Sequence, residues 1–98
     1  MNDKKKMRRI RLMADFMKAL SHPSRLLMLK EMKHGERCVN ELREVVGSDV
    51  STVSKHLSVM KNAGLVQEDK RGQWVYYSIC CSGLMDYLKS LEDIIKEK

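Results

Sequence analysis

Aromatic residues and proline are scarce in this chain, and long apolar runs are absent. Of 98 residues only five are aromatic, and one is proline. A single proline leaves room for long helices, because proline breaks a helix when it falls in the interior. No apolar run approaches the roughly 20 residues that a membrane crossing needs. The composition therefore predicts a soluble, helix-rich protein with no membrane partner, and the length predicts one domain, 1–98, with a modest core.

Secretory features are also absent. The charged residues 1–11 are not followed by the apolar segment and cleavage site of a signal peptide. Cysteine is limited to Cys38, Cys80 and Cys81, and an odd number argues against a disulfide framework. We therefore expect a cytoplasmic protein whose three thiols stay reduced.

The motifs of common enzyme classes are missing as well. The chain has no Cys-x-x-Cys, no glycine-rich phosphate loop and no motif for an organic cofactor. Its three histidines, His22, His34 and His56, imply no Ser-His-Asp set. The sequence predicts that the protein is not an enzyme.

Positive charge is concentrated at one end of the chain. The net charge is +6, and residues 1–11 contain six basic residues against the single acidic Asp3. The remaining residues, 12–98, carry a net charge of only +1. A basic balance favours polyanionic partners such as nucleic acid. The basic segment has two interpretations, a solubilising start to a helix or a contact with phosphate.

Helical periodicity dominates the chain. Apolar residues recur every three or four positions through five segments, and turn or capping residues separate the segments. Four consecutive apolar residues, Leu26–Leu29, leave the second segment without a polar face, so we expect it to be buried. The predicted helices lie at about 5–20, 23–33, 39–46, 50–62 and 83–96.

The pattern changes to a period of two after the fourth helix. Leu65-Val66 opens one predicted strand, and 74–79, rich in aromatic and β-branched residues, forms a second. Residues 69–73 make the tip of the hairpin between them. The fold class is therefore mainly α with a β-hairpin wing (α+β), in the order α1-α2-α3-α4-β-β-α5.

Two helices joined by a tight turn and followed by a hairpin form a winged helix-turn-helix, whose second helix enters the major groove of DNA. Residues 50–62 have one apolar face and one face of short polar and basic side chains. A solvated helix face is the alternative interpretation, and His56 can also pack or cap. The predicted DNA-binding residues are Ser51, Thr52, Ser54, Lys55, His56, Lys61 and Arg71.

The first and last predicted helices carry more apolar surface than a small core can bury. In the last helix Leu84, Leu88, Leu91 and Ile95 recur at spacings suited to a coiled coil. We predict a homodimer formed through these two helices, since small domains have little core of their own. The alternative is that both helices fold back on their own domain. Besides a repressor and an enzyme, a third class of function is an architectural or partner-binding module that uses the apolar seam of the last helix, and binding that depends on salt but not on sequence would indicate it.

The sequence resembles the ArsR/SmtB family of metal- and metalloid-responsive repressors over nearly its whole length. The resemblance implies a homodimeric repressor that binds double-stranded operator DNA and releases it when an effector binds. It also implies a dimer interface made by the first and last helices. The segments that carry it are Ala19–Leu26, Ser51–Leu57, Ala63–Val66 and Gly72–Ile79.

Two sensing sites of that family are incomplete here. One is a Cys-x-Cys-x-x-Cys run before the recognition helix, where this chain keeps Cys38 but has Asn40 and Arg43 at the other thiol positions. The other uses Asp and His pairs on the last helix to bind zinc, and no histidine follows His56. Neither family site is therefore expected to operate unchanged.

The three cysteines make a different site. In winged-helix folds a short strand before the helix-turn-helix pairs with the end of the hairpin, which would bring Cys38 to Cys80 and Cys81. Three thiolates suit a soft ion. Trivalent arsenic or antimony needs only three sulfurs, whereas tetrahedral zinc would need His34 or water as well.

Other roles for the thiols stay open at the level of sequence. Alternation along the strand points Cys80 and Cys81 to opposite faces unless the strand ends there. Cys81 shares the parity of the expected core face, so it fits a buried structural role. One alternative to a metalloid or soft-metal effector is a redox or persulfide sensor that uses Cys38, near Arg37, with Cys80 or Cys81; the other is a structural role with no metal site.

Overall fold

The structure is a computed structural model that describes residues 2–96. It confirms the predicted helices and wing and contains the short strand expected before the third helix. Within these residues, no helix combines the length and apolar character that a membrane crossing needs. The elements are α1 (Asn2–Leu20), α2 (Pro23–Met32), β1 (Arg37–Cys38), α3 (Val39–Val46), α4 (Val50–Asn62), β2 (Val66–Arg71), β3 (Trp74–Ile79) and α5 (Ser82–Lys96).

The core lies between α2, α3, α4 and the base of the wing. Of the apolar run in α2, only Met28 and Leu29 are buried, whereas Leu26 and Leu27 are 36% and 43% exposed. The expectation that all four are buried is wrong, because successive helical residues point in different directions and only one side of α2 faces the core. The fully buried residues are Met28, Leu29, Leu42, Val53, Leu57, Met60 and Leu65.

The sheet has three antiparallel strands in the order β1-β3-β2. Strand β2 continues to Arg71, which lies opposite Trp74, so only Gly72 and Gln73 form the turn. The predicted tip over 69–73 is therefore too long. Gly72 has a φ of +62°, as the common two-residue hairpin turns require.

Helix α1 projects from the rest of the molecule. Only its last turns meet the core, where Ala19 and Leu20 are buried and Phe16 is partly buried. Residues 2–15 are all exposed. The radius of gyration is 14.8 Å, compared with about 13 Å for a compact domain of this length. The elongation agrees with a helix that extends beyond its own core.

Candidate nucleic-acid interface and thiol pair

The turn between α3 and α4 fixes where the recognition helix begins. Gly47 ends α3 with a φ of +78°, and its N–H donates to the Arg43 carbonyl at 2.8 Å. Asp49 caps α4, with its Oδ1 accepting from the Thr52 N–H at 2.7 Å. Hydrogen bonds from Thr52 lower the pKa of Asp49 below its usual value. The cap is therefore a stable carboxylate at neutral pH, as its position in the sequence predicts.

Helix α4 divides cleanly into two faces. Its core face is Val53, Leu57 and Met60, each fully buried. The exposed row that lies opposite consists of Ser51, Lys55, Ser58 and Asn62. The sequence-based prediction omits Ser58 and Asn62. Both residues could have been predicted from the sequence, because they follow Ser51 by seven and eleven positions and therefore lie on the same side of the helix. Selection by residue type alone does not find them.

Two further predicted contacts lie beside this row. Thr52 is exposed in the first turn of α4, and Ser54 is half-buried at the edge of the exposed face. Each side chain carries a hydroxyl that can donate to phosphate or to a base edge, whereas the Thr52 N–H is already occupied by Asp49.

His56 is half-buried and contacts residues at the start of α2. Its Nδ1 accepts a hydrogen bond from Arg25 Nε at 3.1 Å, and its ring lies 4.4 Å from the ring of His22. Burial, followed by the charges of His22 and Arg25, lowers the pKa of His56. These contacts favour the packing role that the sequence left open for His56, and its contact with DNA stays a prediction. The ring fastens α4 to the start of α2, where Arg25 also donates to the Ala19 carbonyl at 3.1 Å.

Lys61 is engaged by a carboxylate of the wing. Its Nζ contacts Glu68 Oε1 at 2.5 Å, and the Tyr77 hydroxyl donates to Glu68 Oε2 at 3.1 Å. The hydrogen bond from Lys61 is the main reason that the pKa of Glu68 is lowered. We call these three residues the brace, because they join α4 to both long strands. Lys61 would therefore have to leave Glu68 in order to bind phosphate, and its contact with DNA stays a prediction.

Arg71 is also occupied. It contacts Glu36 at 2.6 Å and Asp69 at 3.3 Å, and its guanidinium lies 3.9 Å from the centre of the Tyr76 ring. The bond to Glu36 is the largest cause of the raised pKa of Arg71. The side chain folds back across the sheet and does not extend from the tip. Trp74, the residue opposite it, is 51% exposed.

Cys38 lies apart from the other two thiols. Strand β1 pairs with β3, as expected, but Cys38 is opposite Tyr76 and therefore four residues from Cys80. Four residues of strand span about 13 Å. The predicted meeting of three thiols within one chain is wrong for this reason. Among residues 2–96, no three His, Cys, Asp or Glu side chains form a group suited to a metal ion.

Cys80 and Cys81 form a close pair. Their Sγ atoms are 3.4 Å apart. Because β3 ends at Ile79, strand alternation no longer applies, and Cys80 is half-buried while Cys81 is exposed. The structure therefore exposes Cys81, whose place in the strand pattern had suggested a buried role. Burial, and then the neighbouring Cys81, raises the pKa of the Cys80 thiol.

An apolar surface lies where α1 meets α5. Leu12, Met13, Phe16, Met17 and Tyr87 line an open pocket of about 370 Å³ there. Further along α5, Ile94 and Ile95 are 63% and 60% exposed. Exposed apolar patches of this kind mark protein interfaces.

Comparison with known proteins agrees with this geometry. The model of the arsR family of bacterial regulatory proteins matches residues 22–68. The HTH-type transcriptional regulator NmtR of Mycobacterium tuberculosis is 39% identical over 66 residues, which cover 67% of this chain and 55% of NmtR. The chain thus spans little more than half of that relative.

Two solved structures extend the match. The crystal structure of NolR from Sinorhizobium fredii has a TM-score of 0.82 and 32% identity, and the match covers 92% of this chain and 90% of NolR. A winged helix-turn-helix domain from Mycobacterium bovis, described as homodimeric and as a possible ArsR-family regulator, has a TM-score of 0.87. It is 27% identical, with 95% of this chain and 86% of that domain covered.

The chain is a winged helix-turn-helix transcriptional regulator. It belongs to the arsR family, which confirms the resemblance and the fold predicted from the sequence. Members of this family regulate transcription and are not enzymes, so the family also confirms the prediction that the chain is not an enzyme.

Proposed function

We propose that this protein is a homodimeric repressor that binds double-stranded operator DNA in the cytoplasm, with one α4 in the major groove of each half-site. The observation that carries this proposal is the division of α4. One face is anchored in the core, and the opposite face offers a continuous row of small polar side chains around Lys55. Small hydrogen-bonding groups and cations are the side chains that read base edges and phosphates.

The apolar surface of α1 and α5 supports the homodimer. Met13, Met17 and Ile94 are each about half exposed or more in the single chain. A second copy related by a two-fold axis would cover the same surface on both chains. Two copies of α4 would then face one side of the dimer, as a DNA palindrome requires.

The DNA contacts that we propose come from Ser51, Thr52, Ser54 and Lys55. Lys61 and Arg71 can reach phosphate only by leaving their carboxylate partners. Exposed ion pairs are worth at most about 1 kcal/mol, so phosphate can compete for these cations. Because the ion pair must first be broken, Lys61 and Arg71 contribute less to the affinity for DNA than Lys55, which forms no ion pair within the described residues.

The first test is selection of duplexes of about 30 bp from a random pool, a length that holds two half-sites. We expect a sequence with two-fold symmetry that binds at least about 10³-fold more tightly than random DNA. Ser51→Ala/Lys55→Ala should remove this preference, whereas Asn40→Ala, on the exposed first turn of α3, should not. Binding that depends on salt but not on sequence would instead indicate an architectural protein.

We further propose that the effector is a thiophilic trivalent metalloid, arsenic or antimony, bound by Cys80 and Cys81. Thiolates select soft ions, and two sulfurs already lie 3.4 Å apart. Arsenite would form two As–S bonds, and two of its hydroxyls would leave as water with the two thiol protons. A soft divalent metal is less suited, since no third ligand accompanies the pair within residues 2–96.

The position of the pair explains how an effector could release DNA. Cys80 follows β3 of the wing directly, and Cys81 precedes α5, which carries the apolar dimer surface. A ring closed through both sulfurs would change the angle between the wing and α5. Small rotations at this joint alter the spacing of the two recognition helices, on which operator binding depends.

Phenylarsine oxide tests the site, because it bonds two thiols and releases one water. We expect it to release the selected duplex from wild-type protein and from Cys38→Ser. It should have no effect on Cys80→Ser/Cys81→Ser, which should still bind the duplex. Equal release from the double variant would place the effector site elsewhere.

Oxidation of the same pair is the second candidate, because the two Sγ atoms are already 3.4 Å apart. A disulfide of about 2.05 Å would require the backbone to adjust, since neighbouring Cα atoms are about 3.8 Å apart and disulfides usually span about 4.4 Å or more. The raised pKa of Cys80 does not separate the two candidates, since the thiolate is both the reactive nucleophile and the ligand of a soft ion. Release by a peroxide or a persulfide donor, reversed by a thiol reductant, would favour the redox sensor. Release by arsenicals alone would favour the metalloid sensor.

A further inference from the structure

The module that reads DNA has little electrostatic attraction for it. Residues 39–81, which span α3, α4 and the wing, contain five basic and five acidic residues and so carry no net charge. Two of the basic side chains, Lys61 and Arg71, are already paired with carboxylates. Proteins gain much of their affinity for DNA from cations that displace counterions from phosphates. If the proposed function holds, that charge lies elsewhere in the chain.

The N-terminal segment holds it. We call residues 2–11, which begin α1, the basic arm. It contains six basic residues and one acidic residue, and every residue in it is exposed. Within the described residues none of its cations forms an ion pair. The six cations are Lys4, Lys5, Lys6, Arg8, Arg9 and Arg11.

The arm can bind a polyanion without disturbing a dimer. Lys4, Arg8 and Arg11 recur at spacings of four and three, so they share one face of α1. Ile10 and Met17 lie roughly on the other side of the helix, with the apolar surface. One face of α1 is thus available for contact with a partner copy while the other stays available for charge.

We propose that the basic arm binds phosphates of the duplex that flanks the segment read by α4; this inference rests on the proposed DNA-binding function. A helix that binds a membrane surface needs a broad apolar face as well as cations. In the arm only Met7 and Ile10 are large and apolar. The arm also extends about 20 Å from the first residue that meets the core, at 1.5 Å per residue. Its charges therefore act by direct contact, since physiological salt screens charges over about 8 Å.

Two variants with equal net charge test this proposal. The arm variant is Lys4→Gln/Arg8→Gln/Arg11→Gln, and the control is Lys33→Gln/Lys89→Gln/Lys96→Gln, which changes exposed lysines elsewhere. Glutamine keeps the helix propensity of both residue types. Affinity for the selected duplex of about 30 bp is measured from about 50 to about 300 mM KCl, and the slope of log K against log salt is compared.

We expect the slope of the arm variant to fall by about 0.9 for each lost phosphate contact, which is about 2 to 5 for two arms. The control should keep the wild-type slope. Lys4→Arg/Arg8→Lys/Arg11→Lys, which conserves charge, should keep it too. An arm variant with the wild-type slope would overturn the inference. Binding to phosphatidylglycerol vesicles is measured as well, and an arm-dependent affinity for vesicles that exceeds the affinity for DNA would also overturn it.

The same experiment separates the inference from the function beneath it. If the wild-type protein shows no preference for any selected duplex, the proposed repressor function fails. If it shows the preference but the arm variant keeps the slope, only the role of the arm fails.

Discussion

At the scale of single residues, His56 shows why the exposed face of a helix cannot be assigned from residue type alone. It lies among the polar residues of α4, yet its Nδ1 accepts from Arg25 and its ring packs against His22. Both partners come from more than thirty residues earlier in the chain. Helical periodicity places a side chain on a face, but it cannot name a partner from another helix.

The same contacts predict a dependence of stability on pH. Because the folded pKa of His56 is lowered, the unfolded chain binds the proton more readily. The contribution of neutral His56 is complete above the unfolded pKa of about 6.5 and is lost as the pH falls below it. We expect the free energy of unfolding, measured with urea, to fall more for the wild-type protein than for His56→Gln when the pH is lowered from 7.5 to 5.5. An equal loss in both proteins would contradict this.

The pH experiment has a control on the other side of the molecule. His34 is exposed and lies outside this cluster, so His34→Gln should follow the wild-type profile. The carboxylates with lowered pKa values, Glu41, Asp49, Glu68 and Glu92, do not titrate in this range. The histidine effect is therefore measured without acid denaturation.

At the scale of elements, the sequence predicted most of the fold but not the thiol site. The helices follow from apolar spacing and from caps such as Asp49, which are local signals. The separation of Cys38 from Cys80 depends on the register of β1 against β3, which is set by tertiary packing. The end of β3 at Ile79 likewise decides which cysteine is buried. The local pattern predicted this end, since the predicted strand spans 74–79, but it contains no information about the register.

Two glycines, Gly47 in the turn between α3 and α4 and Gly83 in α5, give a prediction about stability. A Cβ added to Gly47 or to Gly83 meets no atom within 4 Å, but only Gly47 has a positive φ, +78°. Gly47→Ala should lower the free energy of unfolding by about 1 kcal/mol, because alanine is strained in this conformation. Gly83→Ala, in the first turn of α5, should raise it by about 0.5 kcal/mol. Urea unfolding measures both, and equal effects would contradict the argument.

At the scale of the whole molecule, exposed apolar side chains on α1 and α5 predict assembly. Ile94 is 63% exposed, so the fold of one chain does not depend on its burial. Ile94→Glu should leave the circular dichroism of the helices unchanged but shift the dimer towards monomer, because an unpaired charge is costly in an apolar interface. Asn40→Glu adds the same charge on exposed α3 and should remain a dimer. Sedimentation equilibrium distinguishes these outcomes.

The brace of Lys61, Glu68 and Tyr77 has a consequence for how operators can vary. Because it adds to the core contact of Leu57 and Met60 with Val66 of β2, α4 and the wing of each copy meet DNA as one unit. An extra base pair between two half-sites turns one of them by about a tenth of a revolution around the duplex. A protein with a flexible link between α4 and the wing could adapt to that rotation. In this protein the dimer would have to distort the DNA or release one half-site. Operators of this protein should therefore tolerate base-pair substitutions more readily than changes in the spacing of the two half-sites.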